Sequence, residues 1–109
     1  MAGNQKERRR FERYEKACPI RIFDGFGRTL AETETVNISC GGAFLIVPAH
    51  CAPKPQSTVE FGLSAPGDGG KTQDFSGRAT VVRRQAGNGD DHVGVALEFA
   101  SPLPLQLEG

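Results

Sequence analysis

Four arginines, Arg8, Arg9, Arg10 and Arg13, stand within six positions in the segment ERRRFER. Each carries a planar fork of donors that grips a phosphate, or guanine O6 and N7, through two parallel hydrogen bonds, and each can lie flat on a ring. Lysine does neither, so the choice of arginine argues against a merely solubilising terminus. A second candidate is VNISCGGAFL, residues 36–45. Asn37 and Ser39 are two apart, so on an extended chain they point to one side while Ile38 between them faces the core. An amide that donates and accepts, beside a rotatable hydroxyl, could read the hydrogen-bonding edge of a base. Gly41 and Gly42 follow, where the backbone can turn sharply or come close to a ligand. A plain Asn/Ser/Gly turn between strands has the same composition, and these residues alone leave both readings open.

The elements that must position these groups read as strands. Ile20 and Ile22 alternate with Arg21 in CPIRIF, and RTLAETETVNI (28–38) fits a strand with its threonines outward. Phe44 to Val47 form a short apolar run, and Val59, Phe61 and Leu63 alternate in TVEFGL. FSGRATVVRR supplies Val81 and Val82, and HVGVALEF puts Val93, Val95, Leu97 and Phe99 on one face. Turns are expected at 24–27, 39–42, 48–56, 64–71 and 85–91, each rich in Gly, Pro, Asn or Asp. Short strands punctuated in this way, with no long helical period, predict a small antiparallel barrel or sandwich.

Charge is unevenly spread along the 109 residues. Residues 1–21 hold seven Lys/Arg against three Glu, a balance of +4, and the remainder holds six against ten, a balance of −4. A basic arm on a mildly acidic body suits a compact anionic ligand better than a nucleic acid, whose binders are usually basic throughout. The length is that of one domain, and 38% apolar with 24% charged residues fits a folded chain. No apolar run reaches the roughly 20 residues of a membrane helix, and no apolar stretch follows the basic start, so neither membrane insertion nor export is expected and the cytoplasm is.

Other chemistry is weakly represented. Cys18, Cys40 and Cys51 have no CxxC spacing and cannot all pair, so they read as reduced, partly buried thiols. His50-Cys51 resembles half a metal site, but the other histidine, His92, repeats no ligand spacing, and no metal is expected. Ser39 has no histidine near it in sequence and no nucleophile motif around it, and Asp90-Asp91 fall in a Gly-rich turn, so no enzyme is expected.

The two polar stretches together resemble the PilZ domain family, bacterial receptors for cyclic di-GMP. That family carries RxxxR, usually after another arginine, and then (D/N)xSxxG on a barrel strand. Arg9 and Arg13 match the first motif, with Arg8 preceding, and Asn37, Ser39 and Gly42 fall in the second. GGAFL, GRATVVRR and HVGVALEF are also similar to the family, so the resemblance spans roughly residues 6–100. Asn37 stands where many members have Asp, exchanging a charge-assisted bond for a neutral one.

The resemblance implies an all-β, six-stranded antiparallel β-barrel over 15–103, a flexible Arg-rich N-terminal arm over 1–14, and a tail over 104–109. It implies cyclic di-GMP bound by Arg8, Arg9, Arg13, Asn37, Ser39 and Gly42, and no other cofactor. An arginine before RxxxR is associated in the family with two intercalated ligand molecules. Output would pass by a change of shape to a downstream effector protein that the sequence does not identify. Two alternatives stand beside this one. One is a small-barrel binder of RNA or single-stranded DNA, opposed by the absence of Trp, the single Tyr and core-like positions for most Phe. The other is a ligand-free PilZ-like interaction module, opposed by the intact motifs.

Overall fold

Strand alternation governs how the chain closes on itself. The structure, a computed structural model, describes residues 12–86 and 91–105. Its strands are β1 (Pro19–Phe23), β2 (Thr29–Ile38), β3 (Gly42–Pro48), β4 (Thr58–Pro66), β5 (Thr72–Ala86) and β6 (His92–Phe99). All pair antiparallel, in the closed order β1-β2-β3-β6-β5-β4, so no strand is left as an edge. Two single 3₁₀ turns, Ala49–Cys51 and Asp68–Gly70, are the helical elements among the described residues. No helix there is long and apolar enough to cross a membrane.

The barrel interior is filled by alternate residues of every strand. Ile20, Ile22, Ile38, Leu45, Val47, Val59, Leu63, Val81, Val95 and Leu97 are buried in one cluster. Phe61 and Phe99 stack within it, ring centroids 4.7 Å apart. Such centroid spacing lies in the favourable range for offset aromatic pairs. In the β1–β2 turn, the Asp24 carboxylate accepts from the Phe26 and Arg28 amides, and those bonds hold its pKa below the ordinary value.

Three expectations from the sequence differ in detail. Thr35 does not face outward: it is 3% exposed. Its hydroxyl accepts from the Cys18 amide at 2.9 Å and donates to the Lys16 carbonyl at 2.6 Å. A threonine can take an inward position because both capacities of its hydroxyl are met there. Secondly, β4 and β5 run into the expected 64–71 turn, as far as Pro66 paired with Thr72, because Ala65 continues the inward series of Phe61 and Leu63. Thirdly, Phe26, 89% exposed in its turn, has no core position. Phe44, half-buried, stands on the outer face of the barrel, its strand neighbours Ala43 and Leu45 turned inward.

The segment before β1 is stapled to β2 by Thr35 and by reciprocal backbone bonds between Tyr14 and Ile38 (2.8 and 2.9 Å). Burial pushes the Cys18 thiol in this staple above its ordinary pKa. Replacing Thr35 with valine strands the Cys18 N–H and the Lys16 carbonyl at nearly constant volume. It should lower unfolding free energy by about 2–3 kcal/mol in denaturant titrations. A midpoint like that of the unchanged protein would contradict the staple.

Candidate functional site

Two β-bulges shape the surface where the sequence motifs meet. On β2, Thr35 pairs with Leu45 and Asn37 with Phe44, so Val36 is an extra residue. The extra residue shifts the alternation by one step: Thr35 and Ile38 both face the core, and Asn37 shares the outer face with Phe44. On β5, Val81 pairs with Leu97 and Arg83 with Ala96, which makes Val82 the second extra residue, 45% exposed. Asn37, Phe44, Ala96 and Arg83 thereby form one row across four strands. The next row holds Gly42, Glu98 and Thr80.

A cleft of about 460 Å³ lies over these rows. Arg13, Asn37, Ser39 and Gly42 line it together with Phe44, Val82, Ala96 and Glu98. Four of the six residues expected from the sequence are thus brought together. Arg8 and Arg9 lie outside the described residues, as does Arg10. The exposed Arg13 guanidinium donates to Asn37 Oδ1 at 3.4 Å, across 24 positions of sequence. Beside it the Tyr14 phenol donates to Glu12 at 2.8 Å, which raises its pKa above the ordinary value.

Ser39 and Gly42 have reasons of their own within the barrel. The Ser39 hydroxyl accepts from the Gly41 amide at 3.2 Å, and the Ser39 amide donates to the Gly42 carbonyl at 2.9 Å. Those bonds close the turn between β2 and β3 and leave the hydroxyl largely committed. A Cβ on Gly42 would run into the Leu97 carbonyl oxygen of β6. The strand pair therefore approaches too closely for any side chain, and the wall of the cleft stays bare. The turn is anchored from behind, since the Phe99 amide donates to Gly41 and the Leu103 amide to Cys40.

Sequence reasoning missed Phe44, Val82, Ala96 and Glu98. Phe44 and Val82 belong to apolar runs, FLIV and VV, that lack strict alternation, which is the trace a bulge or a two-faced strand leaves. The outward phase of Ala96 and Glu98 was legible, but nothing local tied them to Asn37.

A second, more open cleft of about 370 Å³ crosses β1, β2, β4 and β5. Its charges are already matched: Arg21 with Glu32 at 3.4 Å, and Asp74 accepting from Ser64 at 2.7 Å. Among the described residues the Glu98 carboxylate has no such partner and the Asn37 side chain has Arg13 alone, so the first cleft is the better place for a ligand.

Comparison with solved structures finds the same architecture in "Structure of Bacillus subtilis Inhibitor of motility (MotI/DgrA)", with a TM-score of 0.75 at 17% identity. The match covers 88% of this chain and 44% of that one, so this chain spans less than half of its length. No curated protein matches the sequence. The family model for the PilZ domain, however, matches residues 7–108, from the arginine segment through every strand of the barrel. With the closed barrel and both motif stretches accounted for within that span, the chain is a member of the PilZ domain family.

Proposed function

We propose that this protein is a receptor for cyclic di-GMP that acts in the cytoplasm and signals through a partner protein. The observation that carries the reading is the meeting of Arg13 and Asn37, far apart in sequence, at the mouth of a cleft with an apolar floor. Cyclic di-GMP offers phosphates and guanine edges to the arginine fork, and purine faces to an apolar floor. Arg8 and Arg9, just ahead of Arg13, add the cations that two phosphates require. The Arg13–Asn37 contact gives way when a ligand takes up either group, and the shift of the arm that follows is the change a partner would sense. Inhibition of motility, stated of the Bacillus subtilis protein, makes motility machinery the first class of partner to test.

Titration calorimetry with cyclic di-GMP, and in parallel with a short single-stranded RNA, tests the reading. Heat is expected from the dinucleotide and none from the RNA; the reverse would support the nucleic-acid alternative. Two ligand molecules are expected per chain, stacked and intercalated, because three arginines can screen four phosphate charges brought together. Arg8→Ala should lower the ratio toward one before binding is lost. A ratio of one in the unchanged protein would overturn the stacked pair.

A further inference from the structure

Glu98 is the one carboxylate that lines the cleft among the described residues. Toward phosphates it is a repulsive neighbour, whereas a part of the ligand that donates hydrogen bonds would be held beside it. We infer that Glu98 reads the Watson–Crick edge of a bound guanine and gives the cleft its preference for guanine over adenine. The inference rests on the reading of this cleft as a cyclic di-GMP site and goes beyond it by naming how the base is told apart.

The geometry supplies both halves of such a contact. Ala96 and Glu98 are two residues apart on one strand and point to the same outer face, about 6.6–6.8 Å apart along the strand. Ala96 is small; Phe44 stands beside it on β3 and its partner on β5 is Arg83, next to the bulge residue Val82, so that Phe44, Ala96 and Val82 give the trough an apolar floor with Arg83 along its β5 side. A purine lying over Ala96 turns its edge toward the carboxylate one step along. Glu98 is itself uncrowded: its neighbour on β3 is Gly42, which has no side chain. Its carboxylate makes no hydrogen bond or ion pair among the described residues. Its backbone is nonetheless fixed, because the next two amides, Phe99 and Ala100, donate to Gly41 and Arg78.

The chemistry discriminates. The Watson–Crick edge of guanine presents two parallel donors, N1–H and the N2 amino group, which a carboxylate accepts with its two oxygens. Adenine presents an acceptor, N1, beside its N6 amino donor, so one carboxylate oxygen would face a lone pair. Asn37 offers one amide oxygen, which meets Arg13 in the ligand-free protein, whereas Glu98 offers two carboxylate oxygens side by side to two parallel donors.

Glu98→Gln keeps the shape and exchanges one acceptor for a donor, a pattern that matches adenine. Cyclic di-GMP and cyclic di-AMP titrated into the unchanged protein and into this variant decide the matter. The preference for the guanine dinucleotide should fall tenfold or more, with cyclic di-GMP bound more weakly and cyclic di-AMP more tightly. An unchanged preference, or an equal weakening of both ligands, would overturn the assignment while leaving the cyclic di-GMP reading intact. Failure of the unchanged protein to bind cyclic di-GMP would overturn that underlying reading and this inference with it.

Discussion

Gly42→Ala should destabilise the barrel by about 3 kcal/mol or more, the upper end of the cost of overpacking because the blocking atom is backbone, and should weaken ligand binding as well. The new methyl group meets the Leu97 carbonyl, which belongs to the backbone of β6 and cannot rotate away. Relief requires β3 and β6 to part at their Gly42–Glu98 pair. That pair sits between the β2–β3 turn and the strand end tied to it through the Phe99 amide and the Gly41 carbonyl. Separation would therefore move Ser39, Glu98 and the bare wall of the cleft together. Gly62→Ala is the control. Gly62 is also in a strand, but a Cβ there meets nothing within 4 Å. Its substitution should change stability by no more than about 1 kcal/mol, and it can be favourable because alanine costs less chain entropy. Denaturant titration of both variants checks the contrast, and equal effects would contradict it.

Arg13→Ala and Arg9→Ala should each weaken cyclic di-GMP binding about tenfold or more, with melting temperatures unchanged. A charge-assisted hydrogen bond contributes roughly 1.5–3 kcal/mol, and about 1.4 kcal/mol is a factor of ten in affinity. The barrel does not depend on Arg13, whose side chain is exposed and makes one long contact, to Asn37 at 3.4 Å. Arg9 precedes the described residues and is included on the strength of its motif position. Arg13→Lys should recover only part of the affinity, because it restores the charge without the fork. Unchanged affinity in both alanine variants would remove the arginine motif from the site.

How much of this could be read from the sequence follows from which forces act locally. β6 was legible because Val95, Leu97 and Phe99 fill one inward face without interruption. Ile38 could be placed inward and Asn37 outward because the polar–apolar–polar pattern there is local. Thr35 was misread because a hydroxyl can satisfy itself inside, and its partners, the backbone of Lys16 and Cys18, lie 17 to 19 residues away. The bulge at Val36 escaped notice because it is a mismatch between two strands, and at Val82 the VV doublet left a trace that could not be told from a two-faced strand without the register of β6. The cleft inherits that limit. Arg13 and Asn37 were picked out as residue types, whereas Glu98 enters only once β6 is seen to lie beside β3. Gly42 was chosen for openness toward a ligand, and the nearer cause is the approach of the Leu97 backbone.

Cyclic di-GMP is proposed to bind in the cleft between the two bulges. Backbone amide NMR shifts, followed while the ligand is added to the isotope-labelled protein, test it most directly. The changes should concentrate at Arg13, Asn37, Gly41, Gly42, Ala96 and Glu98. The amides of Gly62, Ser64 and Asp74, in the other cleft, should stay in place. Changes centred on Gly62, Ser64 and Asp74, or no changes at all at saturating ligand, would contradict it.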